Sequence, residues 1–239
     1  MPLTSHLAEL RSRLIKTLLA LAAAFSICFA FVETIFVILT APLSRIHVKD
    51  LTLIGTAISE AFFTKLKVAF LASLVLALPV ILWQVWNFIA PGLYEHEKRP
   101  ARYFVFFGTF FFLIGAAFCY EVVFPASFTF FLSRYQAIAV RPAIRIGEYL
   151  TFSSKLVIAF GIAFEMPVLA YFLARMGLID ERFLIRQFRY AIIGIFILAA
   201  VLTPPDVISQ VLLAVPLTLL YGVSILAAYI AERSRKQQA

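Results

Sequence analysis

Six runs of this sequence are apolar over lengths close to what a bilayer demands, and they decide the fold before any single residue is weighed. They lie at about 17–38, 66–86, 103–124, 152–174, 190–203 and 207–230, against the roughly 20 residues a membrane helix needs. Backbone polar groups in lipid must find partners within their own segment, so runs of this length read as helices. Composition agrees: 63% of the 239 residues are hydrophobic and 14% are charged, where a soluble domain has about 45–50% and about 25%. The expected fold is an all-α integral membrane protein, a single membrane domain over residues 1–239 with six transmembrane helices. Pro79, Pro167 and Pro216 fall inside runs, so several helices are expected to be kinked there.

The start, MPLTSHLAELRSRLIK, does not read as a cleavable signal. The apolar segment behind it outruns the roughly 7–15 residues of a signal core, and no small-residue cleavage site follows. The fifth run, YAIIGIFILAAVLT, has 14 residues, which is about 21 Å of helix against a hydrocarbon core of about 30 Å. It turns at once through Pro204, Pro205 and Asp206 into the sixth run, so the two form a short hairpin. Either the bilayer thins around this hairpin, or Arg186 and Arg189 snorkel and lengthen the span.

An even number of spans puts both termini on one side. Of the 21 Lys and Arg residues, 13 fall on that side and 8 in the longer connections opposite. The positive-inside rule then places both termini in the cytoplasm. The net charge of +8 is thereby accounted for as a topology signal, and no nucleic acid is needed to explain it. Cys28 and Cys119 fall inside apolar runs and the three histidines stand singly, so neither a metal nor a cofactor is expected. With no nucleophile–base pair and no phosphate loop, the chain does not read as an enzyme.

Polar residues then stand out against the apolar background. Leu3, Leu7, Leu10 and Leu14 form one helical stripe opposite His6, Glu9 and Arg13, the pattern of a short helix lying in the interface. Glu9 and Arg13 sit at i and i+4, which an ordinary surface pair would explain. The connection NFIAPGLYEHEKRPAR sets Glu95 and Glu97 among basic residues. Glu165, in FGIAFEMPV, would lie within the fourth span. A carboxylate there costs a few kcal/mol, so it should be protonated, hydrogen-bonded or wet. Gln210 in the sixth span is a conceivable partner. Asp206 is placed to cap the sixth helix. Glu33 is expected near the outer interface and Glu121 near the outer end of its helix, neither with an assigned role.

HLAELRSRL at the start, APL at 41–43, PVILWQVWNFIAPGLYEHEKR at 79–99, FGIAFEMPV at 160–168 and TPPDVISQVLLAVPL at 203–217 together resemble the TatC family, the multi-spanning core of the twin-arginine protein translocase. The resemblance covers nearly the whole chain. It implies a receptor in the cytoplasmic membrane of a prokaryote that binds twin-arginine signal peptides. It also implies single-span partners of the TatA and TatB kind, further copies of the chain in the receptor complex, and export of folded proteins driven by the proton-motive force. Carried over by motif, Glu9, Glu97, Arg11 and Phe88 match signal-binding positions, and Glu165 matches a glutamate facing a polar hollow among the spans. Val201, Leu202, Thr203, Asp206 and Gln210 match the hairpin where partners dock, and Pro42 matches an external-loop position whose plain role would be to stop the first helix. One departure is Tyr221-Gly222, where several relatives carry a glutamate. Two other classes compete: a proton-coupled small-molecule permease, in which Glu165 relays protons, and a bare scaffold for other membrane proteins.

Overall fold

The computed structural model describes residues 3–44, 52–89, 101–137, 140, 142–204 and 206–236. These form two compact units, residues 1–40 with 57–110 and residues 41–56 with 111–239. Six helices are long and apolar enough to cross a membrane, covering Ala8–Ala30, Glu60–Phe88, Arg102–Tyr135, Ile146–Arg175, Glu181–Leu202 and Val207–Arg235.

In the first unit, α1 (Leu3–Ala30) packs along α3 (Glu60–Ile89). The leucine-striped segment is not a separate interfacial helix. It forms the first turns of the 28-residue α1, because no glycine or proline lies between residues 3 and 30 to end it. The helix stops instead at Phe31, whose N–H turns back to the Cys28 carbonyl at 3.2 Å. A second helix, α2 (Val32–Ser44), starts at once. Pro42 is buried in the last turn of α2, so it does not end the first helix as the sequence suggested. On α3, Val68, Ala69, Leu71, Ser73 and Ala77 are buried, and on α1 Ala24 and Cys28. The Trp86 ring lies 4.7 Å from that of Phe104 in α4 (Ala101–Phe118).

In the second unit, α4 runs through a π-helical turn, Cys119–Val123, directly into α5 (Phe124–Ala137). The expected end of this span at 124 is therefore corrected: the helix continues to Ala137. Pro125 explains the turn. Lacking an N–H and crowding the carbonyl four residues back, it cannot continue an α-helix, and one i→i+5 bond, Phe124 N–H to Cys119 O, takes up the extra residue. Glu121 accordingly sits exposed in mid-helix. The apolar helix Arg102–Tyr135 has 34 residues, about 51 Å, so a good third of it projects past a core of about 30 Å. Two short strands, β1 (Thr52–Ile54) and β2 (Ala143–Arg145), pair in parallel with Thr52 opposite Ala143.

The helix α6 (Ile146–Arg175) is the most enclosed of the spans. It packs mainly on α8 (Val207–Lys236), where Ala170 and Ala174 meet Ala228 and Ala231; these side chains let the backbones come close. Its end is a Schellman motif. Gly177 takes φ +77°, its N–H bonds Ala174 O at 3.0 Å, and Leu178 N–H bonds Leu173 O at 3.0 Å. Asp180 then caps α7 (Glu181–Leu202), accepting from Phe183 N–H at 2.7 Å. This cap starts α7 nine residues ahead of the apolar run, with Arg182, Arg186 and Arg189 exposed on its early turns. Its 22 residues span about 33 Å. The short fifth run is thus the apolar part of a full-length helix.

Candidate functional site

Polar side chains gather in two regions. The first lies at one end of the α1–α3 pair. The Lys65 ammonium on α3 donates to the Glu33 carboxylate just past α1, at 2.8 Å. That contact fixes the pair as antiparallel, so the start of α1 and the end of α3 lie together at the opposite end. Glu9, Arg11 and Phe88 are all at that end. Glu9 is half-buried and accepts from the Arg13 guanidinium, Arg11 is exposed, and Phe88 is half-buried in the last turn of α3. Glu97 lies outside the described residues.

The second region is centred on Glu165. It is 7% exposed, and neither carboxylate oxygen has a hydrogen-bond donor among the described residues. Gln210 is not its partner, contrary to expectation. The Gln210 amide donates instead to Phe196 O at 2.9 Å, tying α8 to α7. Just ahead of Glu165 the helices α4 and α6 come unusually close. A Cβ on Gly115 would sit 2.7 Å from Phe160 O, and one on Gly161 would sit 2.5 Å from the Phe112 ring. The Phe118 ring packs between Phe160 and Phe164 at 5.9 and 5.6 Å. These two glycines escaped the sequence reading, although paired small residues on membrane helices are a known sign of close approach.

At the α7–α8 hairpin, Val201 is 68% exposed, whereas Leu202 and Thr203 are buried. The Thr203 hydroxyl donates to Ala199 O at 2.8 Å. Asp206 caps α8 as expected, accepting from Ser209 N–H at 3.0 Å. At the other end of the hairpin, the buried Tyr221 hydroxyl donates to Leu184 O at 2.9 Å. This contact is a neutral bond between the two helices.

Six membrane-length helices, a carboxyl buried among them and a capped polar hairpin define a mostly helical, multi-pass membrane protein. The pattern of the family Sec-independent protein translocase protein (TatC) matches residues 5–216. The chain is 48% identical over 227 residues to the TatC protein of Campylobacter jejuni, covering 94% of this chain and 92% of that one. It is 40% identical over 224 residues to the TatC protein of Escherichia coli K12, covering 94% and 86%. A crystal structure of the twin arginine translocase receptor TatC superposes with a TM-score of 0.86 at 38% identity, covering 95% of this chain and 99% of that one. The chain belongs to the TatC family: it is a component of the Sec-independent protein translocase and not an enzyme.

Proposed function

We propose that this chain is the receptor that reads the paired arginines of a signal peptide, through Glu9 and Glu97, with Arg11 and Phe88 beside them. A pair of arginines presents two planar guanidinium forks, which carboxylates bind bidentately and which lysine cannot imitate. The observation that carries this reading is Glu9. Its carboxylate already holds a guanidinium, that of Arg13, at the same end of the helix pair as Phe88. An incoming arginine would take over that interaction. The apolar part of the signal would then lie along the spans.

Around this receptor we place single-span partners of the TatA and TatB kind at the α7–α8 hairpin. Val201 is the residue of that set that faces outward, and Asp206 and Gln210 supply polar glue. Pro42 would hold the far end of the fold, and further copies of the chain would complete the complex. The site is the cytoplasmic membrane of a prokaryote, both termini face the cytoplasm, and the proton-motive force drives export of folded cargo. Glu165 would face a wet hollow among the spans. Full transport by Glu165→Gln would dismiss protonation of this group as a step, while leaving hydrogen bonding intact.

The unpartnered Glu165 also suits a proton-coupled permease. One experiment separates the readings: binding of a labelled Arg-Arg signal peptide and its Lys-Lys version to purified wild-type protein, Glu9→Ala and Glu97→Ala. Selective Arg-Arg binding, lost in both variants, is expected. Equal binding of the two peptides would reduce both glutamates to surface ion pairs. No binding by folded protein would point to a site completed by a partner or to the permease.

A further inference from the structure

Glu33 has no part in the function above, yet its surroundings are specific. It stands three residues beyond the span Ala8–Ala30, where the chain breaks at Phe31 and restarts as α2. Lys65 reaches it from α3 at 2.8 Å. About 20 residues counted back from Phe88 reach Val68, so Lys65 lies about one turn past the hydrocarbon. The two charges therefore meet at headgroup depth, in the leaflet remote from the N-terminus.

They meet on the rim of a pocket of about 300 Å³ lined by Phe29, Phe31, Val32, Glu33, Thr34 and Lys65. Phe29 stacks on Phe25 at 5.9 Å, and Phe31 is 63% exposed beside it. The Glu33 and Lys65 side chains are 81% and 46% exposed, so both present their charge to whatever enters. The hydrogen bond from Lys65, and then its charge, hold the Glu33 carboxyl below the ordinary carboxylate range, so it is ionised at neutral pH. An exposed pair of this kind contributes little to stability, and nothing in the helix packing demands it.

We infer that this pocket binds the headgroup of a phosphatidylethanolamine-type lipid, its phosphate on Lys65 and its ammonium on Glu33, with the acyl chains running down past Phe29 and Phe31. The site carries one charge of each sign, so an anionic headgroup would be repelled by Glu33. A choline headgroup has the right charges but no N–H, whereas a primary ammonium offers three donors to the carboxylate. The exposed aromatic walls at the end of a span favour a lipid over the free headgroup.

Native mass spectrometry of the delipidated full chain, titrated with lipids of matched acyl chains, tests this. The ethanolamine lipid should bind about tenfold more tightly than the choline or glycerol lipid, the weight of one charge-assisted hydrogen bond. Glu33→Gln should move the preference toward the anionic glycerol lipid, and Lys65→Gln should abolish binding of all three phospholipids at this site. The exchanged pair Glu33→Lys with Lys65→Glu should restore the ethanolamine preference. Soluble phosphoethanolamine should not compete. Equal binding of the three lipids, a preference unchanged in the single variants, or full competition by the soluble headgroup would overturn the lipid site.

Discussion

At the residue scale, a polar group in the wrong solvent is the most informative sign in this chain. Glu165 is enclosed, and both its oxygens are left without donors among the described residues. Such an orphan costs about 1–3 kcal/mol, while an apolar side chain of similar shape would not. Glu165→Met should therefore raise the midpoint of thermal unfolding in detergent while lowering transport; a variant that loses both would make Glu165 a structural residue. The glycines beside it predict the reverse. At Gly115 an added Cβ meets a backbone carbonyl, Phe160 O, which cannot move without its helix. At Gly161 it meets the Phe112 ring, which can rotate or shift. Gly115→Ala should therefore destabilise more than Gly161→Ala, each within the range of about 1–3 kcal/mol for an overpacked core. Scanning fluorimetry of the two variants side by side would show the order, and equal midpoints would mean that α4 yields as a body.

At the scale of elements, the hairpin α7–α8 is fastened along its length by polar side chains from α8. Gln210 reaches Phe196 O near the turn and Tyr221 reaches Leu184 O toward the open end. The two acceptors are 12 residues apart on α7, about 18 Å. Between them Ile195 is buried on α7, and Leu213, Ala214 and Leu217 on α8. Interhelical hydrogen bonds in membranes contribute about 0.6 kcal/mol on average and up to about 1.7. Gln210→Leu and Tyr221→Phe should each cost that much, and sites so far apart should add within about 0.5 kcal/mol. Unfolding in mixed detergent micelles would measure all three variants. A double mutant well short of the sum would show that the fastenings act as one. Element ends were also where the sequence was hardest to read. Hydropathy gave the number of spans, six, but carried the first, at 17–38, across the break at Phe31, because what ends a helix here is local chemistry. Asp180 starts α7 among arginines, Gly177 stops α6, and Pro125 is absorbed by a π turn where it was expected to lie past the helix. The existence of the carboxyl at 165 was legible for the same reason as the spans, since one charge in an apolar run is conspicuous. Its partners were not, because assigning Gln210 to it or to Phe196 depends on how α8 is rotated, and hydropathy is blind to rotation.

At the scale of the whole molecule, the remaining question is which way the chain sits in its bilayer, and the charge distribution predicts both termini on the cytoplasmic side. Thirteen of the 21 basic residues flank the termini and the connections on their side, and translocation against the membrane potential disfavours carrying them across. Helices on the opposite side run well past the hydrocarbon, as Arg102–Tyr135 does, and carry fewer basic residues there. This orientation is open to a direct test because the native thiols do not interfere: Cys28 and Cys119 are both buried. Ser12, Ser59 and Arg233 are exposed in α1, in the connection before α3 and at the end of α8. In intact cells, a membrane-impermeant maleimide should label Ser59→Cys, while Ser12→Cys and Arg233→Cys should react only once the membrane is opened. The reverse pattern would turn the molecule over and put Glu9 on the side away from any cytoplasmic signal peptide. Labelling of Ser12→Cys and Arg233→Cys from different sides would break the six-span count itself, since only an even number of crossings returns the chain to the side where it began.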